Sequence, residues 1–319
     1  MTIARKKMKI LWALDPFDDL DEIYTKSFQA LNSLSNYVQL EVDPVYLLSP
    51  LQLNIDFNLT TVNSEVYISA AKKALEKKLE GIPLSELNDP KVLVNSSSRL
   101  RQVVQELADQ ALSREYDMIL VGSHGRKGLN RMMMGSFAEQ LLLQSKVPVF
   151  IIGNETEKLN TRWNQKPIHI LIANDLSNPS SSFFSKALGL AQSLEAKITL
   201  LRAVTRPAEM VLQSGVYLLS GGFIPTPIFM RQEDERLKNA ANIILHEAEK
   251  QHIQTEMILD NNAQSVVQSI LSHAKESNAS FIVMAAESGQ VASTLLGSIT
   301  RQVVRLAPCP VLVYRVDKK

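Results

Sequence analysis

One segment of the chain combines glycine, serine and basic residues in a spacing that suits an anionic ligand. It runs from Gly122 to Ser136 and reads GSHGRKGLNRMMMGS, with glycines spaced as G-x2-G-x9-G-S. Glycine has no Cβ, so Gly122 and Gly125 allow the backbone to turn tightly and to approach a ligand closely. Successive N–H groups in such a loop can bind the oxygens of an anion.

The end of the same segment adds the start of a helix. Gly135 and Ser136 precede an apolar helical pattern, and the free N–H groups and positive dipole of a helix N-terminus favour a phosphate. The Ser136 hydroxyl can add a bond or cap the helix. Asp15 follows the first predicted strand and reaches the same edge of a parallel sheet as the loop. These features predict a phosphate-binding site rather than a bare turn and helix cap.

The remaining loop side chains leave more than one interpretation. Arg126, Lys127 and Arg131 can neutralise phosphate charge, and a solvated basic loop is an equal alternative. His124 is expected to be solvated rather than catalytic. The sequence contains no Walker A motif, no GxSxG elbow, no HExxH and no paired-carboxylate motif. It therefore predicts no catalytic residue and no protein metal site, although Asp15 could help to place a metal ion on bound phosphates.

The elements that position the loop alternate between strand and helix. Short runs of strand-forming residues alternate with helical periodicity, which predicts βαβ units and a mostly parallel α/β sheet. Pro44 predicts that the second strand is an edge strand or carries a bulge. One predicted helix has an apolar face formed by Leu100, Val103, Val104, Leu107, Ala108 and Leu112. In the first half, strands are predicted over 9–14, 42–48, 92–95, 118–121 and 147–152, and helices over 22–34, 64–79, 97–114 and 136–144.

The chain repeats itself at a nearly constant offset of about 160 residues. Residues 134–136 (MGS) recur as 296–298 (LGS), and 147–152 (VPVFII) recur as 309–314 (CPVLVY). This pattern predicts a tandem duplication. We expect a first domain over 1–153, a linker over 154–166, and a second domain over 167–319. The second copy carries an apolar insertion at 206–232, which is long enough to suggest a functional or mobile loop.

Composition excludes several classes of protein. The balance of 34 basic against 33 acidic residues lacks the positive charge of a typical nucleic-acid binder. A single cysteine, Cys309, excludes an internal disulfide framework and a cysteine-cluster zinc site. The apolar runs are shorter than the roughly 20 residues of a membrane-spanning helix, and the N-terminal one is too short for a signal peptide. We therefore expect a cytoplasmic protein without a membrane or nucleic-acid partner.

The segment 122–152, together with its second copy at 295–315, resembles the signature of the universal stress protein family. The resemblance covers nearly the whole chain as two tandem domains. It implies two five-stranded parallel α/β domains of the adenine-nucleotide alpha-hydrolase-like type, and ATP as the ligand where the motif is intact. The glycines and the serine would cradle phosphates and ribose, Asp15 would lie beside the nucleotide, and the backbone near Val45 would contact adenine. The predicted nucleotide-binding residues are Asp15, Val45, Gly122, Ser123, His124, Gly125, Arg126, Gly135 and Ser136.

The second copy departs from this motif. Ala285 stands at the place of Gly122 and Ser288 at the place of Gly125, whereas Asp175, Gly297 and Ser298 are retained. A Cβ at these positions should obstruct close backbone approach. We therefore expect the first domain to bind ATP, and the second to bind it poorly or to serve another purpose.

The function predicted on this basis is an ATP-binding stress-response regulator that signals through its conformation or assembly to a protein partner. The two domains should pack together as an internal dimer, and further homodimerisation of the tandem chain is plausible. Two alternatives stay open. One is a nucleotide-free interaction scaffold with a different ligand in the second domain, and the other is a slow ATP hydrolase.

Overall fold

The computed structural model describes residues 6–17, 21–50, 64–82, 84, 87–123, 135–157, 167–177, 182–205, 227–288 and 296–317. Strands and helices alternate throughout these ranges, as the sequence predicts. The elements of the first half are β1 (Lys7–Ala13), α1 (Asp21–Leu34), β2 (Gln39–Leu48), α2 (Ser64–Leu79), β3 (Lys91–Val94), α3 (Leu100–Ser113), β4 (Met118–Gly122), α4 (Ser136–Gln144) and β5 (Val149–Ile152).

The second half repeats the pattern with longer outer strands. Its elements are β6 (His169–Ala173), α5 (Ser182–Ser193), β7 (Lys197–Thr205), α6 (Pro227–Lys250), β8 (Thr255–Ala263), α7 (Val266–Glu276), β9 (Phe281–Ser288), α8 (Ser298–Leu306) and β10 (Val311–Asp317). Strand β6 reads HILIA and is buried along its whole length, as is typical of a central parallel strand covered on both faces.

Within the described ranges, the strands form one continuous sheet in the order β3-β2-β1-β4-β5-β10-β9-β6-β7-β8. Each half contributes five parallel strands, so the predicted α/β fold with two five-stranded parallel units is confirmed. Helices α1, α2, α5 and α6 cover one face, and α3, α4, α7 and α8 cover the other. One sheet runs through both halves and does not mark where one domain ends, so the predicted domain limits at 153 and 167 stay a prediction.

The two halves meet at an antiparallel pair, as expected for an internal dimer. Phe150 of β5 lies opposite Leu312 of β10, and its ring packs edge-on against Phe281 at 5.6 Å between centroids. Across the same junction, Arg301 of α8 forms an ion pair of 2.5 Å with Glu139 of α4. An edge that would be exposed in a single five-stranded unit is thereby paired and covered.

The predicted edge position of the strand that contains Pro44 is wrong, whereas its pairing with the β3 side does carry an irregularity beside Pro44. Strand β2 lies between β1 and β3, and Pro44 pairs with Trp12 in a register without a break. The reason is the side of the strand on which the missing N–H falls. The carbonyl of Val42 accepts from Asn88 on the β3 side, so Pro44, two residues later, faces that side too. On that side Val42 forms a bridge with Leu87 and Val45 pairs with Lys91, so the register shifts by one residue beside Pro44.

One predicted helix and the predicted insertion need correction. Helix α3 begins at Leu100 rather than at 97, because the backbone N–H of Ser97 bonds to the Asn95 side chain in a local turn. One residue of its predicted apolar face is also wrong, because Leu112 is 46% exposed and Ala111 is buried in its place. Helix α6 begins at Pro227, where the fixed φ of proline suits a first helical position. The last residues of the predicted 206–232 insertion are therefore helical, and 206–226 lie outside the described residues.

None of the helices in these ranges is both long and apolar enough to cross a membrane. Cys309, the single cysteine of the sequence, is buried.

A buried histidine at the amino end of β6 joins three elements. His169 is 2% exposed. Its Nδ1 lies 3.0 Å from the carbonyl oxygen of Ser277, and its Nε2 lies 2.7 Å from the hydroxyl of Thr199. That hydroxyl is also 2.6 Å from a carboxylate oxygen of Glu256. A carbonyl only accepts, so Nδ1 carries a hydrogen. The Thr199 hydroxyl has a single hydrogen, which bonds to Glu256 or to Nε2 but not to both at once.

This arrangement predicts that acid destabilises the protein through His169. Burial lowers the pKa of the ring, as does Lys197 nearby, while the bond to Ser277 and the charge of Glu256 oppose them. A lowered pKa means that the folded state favours the neutral ring. Its contribution is therefore complete above the unfolded pKa of about 6.5 and is lost as the pH falls below it, by at most ~1.4 kcal/mol per pH unit.

Urea denaturation between pH 7.5 and 5 measures this effect. We expect His169→Gln to lose less free energy of unfolding over that range than the wild type does, because glutamine does not titrate. Equal pH dependence of the two proteins would contradict the assignment to His169.

Candidate functional site

The carboxyl ends of β1 and β4 bring the predicted site residues to one edge of the sheet. Ala13 pairs with Val121, and Gly122 pairs with Ile152 of β5. Asp15 lies two residues beyond Ala13, so it reaches the edge at which β4 ends. This edge is where ligands lie in parallel α/β sheets.

The glycine loop starts and ends at the same point on this edge. The N–H of Ser123 donates to the carbonyl of Ile152 at 2.8 Å, and the N–H of Gly135 donates to the carbonyl of Ser123 at 2.6 Å. Ser123 is fully buried. These bonds anchor the loop beside β5 and bring Gly122, Ser123, Gly135 and Ser136 together. The predicted residues His124, Gly125 and Arg126, and with them Lys127 and Arg131, lie outside the described residues.

Helix α4 begins at this anchor, and its N-cap residue contributes no side chain that could bond to the first N–H groups. Gly135 is the N-cap, with extended backbone (φ −60°, ψ 136°) and no side chain to accept a bond, and Ser136 is already the first helical residue and exposed. Ser136 therefore does not cap the helix, which was one of the two roles predicted for its hydroxyl. By contrast, the N-cap Ser265 of α7 accepts from the N–H of Gln268. An uncapped N-terminus at the sheet edge suits an anion.

The charge in the first turn of α4 is balanced by the second half of the chain. Glu139 would repel a phosphate bound at the helix start, but Arg301 neutralises it at 2.5 Å. The carbonyl of Leu143, in the last turn of α4, accepts a bond from Arg315 of β10. The helix that begins at the candidate site is thus held at both ends by the second half.

Asp15 holds a turn at the end of β1. One of its carboxylate oxygens accepts the N–H of Phe17 at 3.0 Å. The neighbouring Leu14 N–H donates to the Val45 carbonyl at 2.9 Å. Val45 is buried and lies three residues before the end of β2 at Leu48, which is the end that the sequence predicts for this strand.

Two aromatic residues at the same edge were not among the predicted site residues. The ring of Phe17 lies edge-on to that of Tyr46, with 5.7 Å between centroids. A comparison of the two repeats could have singled them out, because the second half has Ser177 at the place of Phe17 and Arg202 at the place of Tyr46.

The second half keeps the turn and the strand pairing that position this site, but its strand does not end where the glycine loop would begin. Asp175 accepts the N–H of Ser177 at 3.0 Å, as Asp15 does for Phe17. The pairing of Ala173 with Met284 matches that of Ala13 with Val121, so Ala285 stands at the place of Gly122, as the sequence indicates.

The two halves then diverge. Strand β4 ends at Gly122, whereas β9 continues to Ser288, which pairs with Asp317 of β10. Residues 285–288, which correspond to the start of the glycine loop, are therefore part of the sheet.

No cluster of metal-ligating side chains occurs in the described ranges. One serine, one histidine and one aspartate do meet in the second half. Ser269 donates to the Asp260 carboxylate at 2.6 Å, and His273 Nε2 lies 3.7 Å from the same oxygen. Because the hydroxyl bonds to the carboxylate and not to the imidazole, the group is not arranged as an activated nucleophile.

Comparisons with known proteins agree with the fold and the repeat. The sequence profile of the Universal stress protein family matches residues 26–153 and again residues 168–315. The universal stress protein YxiE of Bacillus subtilis is 32% identical over 149 residues, covering 46% of this chain and 97% of that protein.

Solved structures resemble the whole chain. A universal stress protein from Archaeoglobus fulgidus is 18% identical and covers 96% of this chain and 98% of its own, with a TM-score of 0.59. A functionally unknown protein from Pseudomonas aeruginosa is 14% identical over 96% and 92% of the two chains, with a TM-score of 0.53. These two likenesses concern the fold alone. With two matches of the family profile that together span most of its length, the chain belongs to the universal stress protein family, as a tandem of two family domains.

Proposed function

We propose that the first half binds one adenine nucleotide, ATP, and that the protein acts as a nucleotide-dependent regulator in a stress response. The observation that carries this proposal is the meeting of the two loop ends with the uncapped start of α4, beside Asp15. Ser123 and Gly135 are bonded to each other there, and Gly135 provides no capping side chain. Phosphates would accept from the first N–H groups of α4 and from the glycine loop. Magnesium, if carried with the nucleotide, prefers oxygen ligands such as the Asp15 carboxylate.

The second half would bind the nucleotide poorly or not at all. Its β9 stays paired with β10 where the first half opens into the loop, and Ala285 adds a Cβ at the place of Gly122. Its proposed role is to hold α4 through Arg301 and Arg315, and so to carry the nucleotide state to the conformation or assembly that a protein partner reads.

The experiment that tests this function is to denature freshly purified protein and identify the released small molecules by mass spectrometry. We expect about one ATP or ADP per chain. Protein that releases none is then titrated with ATP and magnesium, and one site per chain is expected.

Two nucleotides per chain would contradict the assignment to the first half alone. No nucleotide and no binding would overturn the proposed function in favour of a nucleotide-free scaffold. Release of ADP or AMP at enzyme-like rates would favour the hydrolase alternative, for which the described residues offer no catalytic arrangement.

A further inference from the structure

An exposed aromatic ring lies at the edge that holds the candidate nucleotide site. Phe17 is 48% exposed, although phenylalanine is ordinarily buried. Its ring packs edge-on against Tyr46, which is 2% exposed. One side of the Phe17 ring is therefore supported by the core of the protein, and the rest faces solvent at the ends of the strands.

The ring is held in place by the turn that follows β1. The Asp15 carboxylate accepts the N–H of Phe17 at 3.0 Å, and Pro16 between them has a fixed φ. The same carboxylate that is predicted to lie beside the nucleotide thus also sets the position of the ring. A side chain that is ordered before binding loses little conformational entropy when a ligand packs on it.

A second exposed apolar residue lies at the end of the strand on the other side of β2. Val94, the last residue of β3, is 37% exposed and pairs with Leu48. Phe17 follows β1 and Val94 ends β3, and β2 lies between these two strands in the sheet. β2 is the strand next to which the base is expected.

The second half serves as an internal control for this feature. It keeps the turn, with Ser177 donating to Asp175 at 3.0 Å. It lacks both rings, because Ser177 replaces Phe17 and Arg202 replaces Tyr46. The aromatic pair therefore occurs in the half whose glycine motif is intact and is absent from the half in which Ala285 and Ser288 replace the glycines.

We propose that Phe17 stacks on the base of the bound nucleotide and so makes the site prefer purines. This inference rests on the proposed function and concerns the base alone. An aromatic side chain contributes to affinity through the π-face of the base, and a purine offers more of that face than a pyrimidine does. The phosphates are bound elsewhere, at α4 and the glycine loop, and should not sense the ring.

The test compares Phe17→Ser with the matched control Ser177→Phe. Each exchanges the same two residues in the same type of turn. Calorimetric titration is carried out with ATP, CTP and inorganic tripolyphosphate. We expect Phe17→Ser to weaken ATP binding about five- to 150-fold, to narrow the preference for ATP over CTP, and to leave tripolyphosphate binding unchanged. Ser177→Phe should leave all three affinities unchanged.

A third variant, Phe17→Trp, provides a spectroscopic readout. We expect it to bind ATP at least as tightly as the wild type, and ATP to quench the added indole fluorescence relative to the wild-type signal. If the wild type binds ATP and Phe17→Ser binds it within twofold, the stacking proposal is wrong while the proposed function stands. An equal loss of tripolyphosphate binding would also overturn the stacking proposal, since it would assign Phe17 to the loop rather than to the base. A wild type that binds no ATP overturns both.

Discussion

Replacing Gly135 with valine should abolish nucleotide binding without unfolding the protein. Gly135 is the N-cap of α4, and the side chain of an N-cap residue lies over the N–H groups of the first helical turn. A valine there would cover the groups that the phosphates need. Its φ of −60° is open to any residue, so backbone strain should not destabilise the fold. We expect the Kd for ATP to rise about 100-fold, close to 2.7 kcal/mol.

The measurement is a calorimetric titration with ATP and magnesium, together with a thermal unfolding curve. Gly297→Val is the matched control, because Gly297 is the N-cap of α8 with nearly the same backbone angles. Among the residues that the structure describes, a Cβ added at Gly297 would meet the Thr300 hydroxyl alone, at 4.0 Å. Its ATP affinity should equal that of the wild type. A Kd for Gly135→Val within threefold of the wild type would show that phosphates do not bind at α4. Gly125→Val is expected, from the sequence alone, to abolish binding in the same way.

The junction between the halves should be the place where one substitution costs most stability. Phe150 is 3% exposed, lies opposite Leu312, and packs on Phe281 of the other half. Phe150→Ala removes this ring and leaves a cavity where the two halves of the sheet join. We expect the free energy of unfolding to fall by about 3–5 kcal/mol.

Urea denaturation of both proteins measures this loss. Ile243→Ala is the control, because Ile243 is 51% exposed on α6 and its truncation should change the free energy of unfolding by less than about 0.5 kcal/mol. A loss below about 1 kcal/mol for Phe150→Ala would mean that the halves are held together elsewhere.

Much of the fold is predictable because its signals are local. Periods of two and of 3.6 residues mark the strands and helices, and a repeated pattern marks the duplication. Errors occurred where a decision depended on a distant neighbour. Leu112 is apolar and lies close to the buried face of α3, yet it is exposed, since the packing of α3 on the sheet selects Ala111 instead. The effect of Pro44 depended on which side of β2 its missing N–H would face, and that is a property of the sheet.

The candidate site also combines features that the local sequence predicts with features that depend on distant residues. Glycine spacing and the strand–loop–helix order predicted that Gly122, Ser123, Gly135 and Ser136 meet beside Asp15, because the ends of parallel strands share an edge. The local pattern contained no sign that Arg301 neutralises Glu139, since the two residues are 162 positions apart. Nor did it show that Phe17 rests on Tyr46, or that β9 continues along β10 past the place of the loop.

By itself, then, the sequence determined the α/β class, the duplication, the family and the half with the intact motif, because each depends on residue types at short, regular spacing. Tertiary structure alone decided how the halves join through β5 and β10, which charges are paired between them, and which apolar side chains stay exposed at the sheet edge. Those outcomes depend on contacts between residues far apart in the chain, and the free energy of such a contact is set by the packing of both partners.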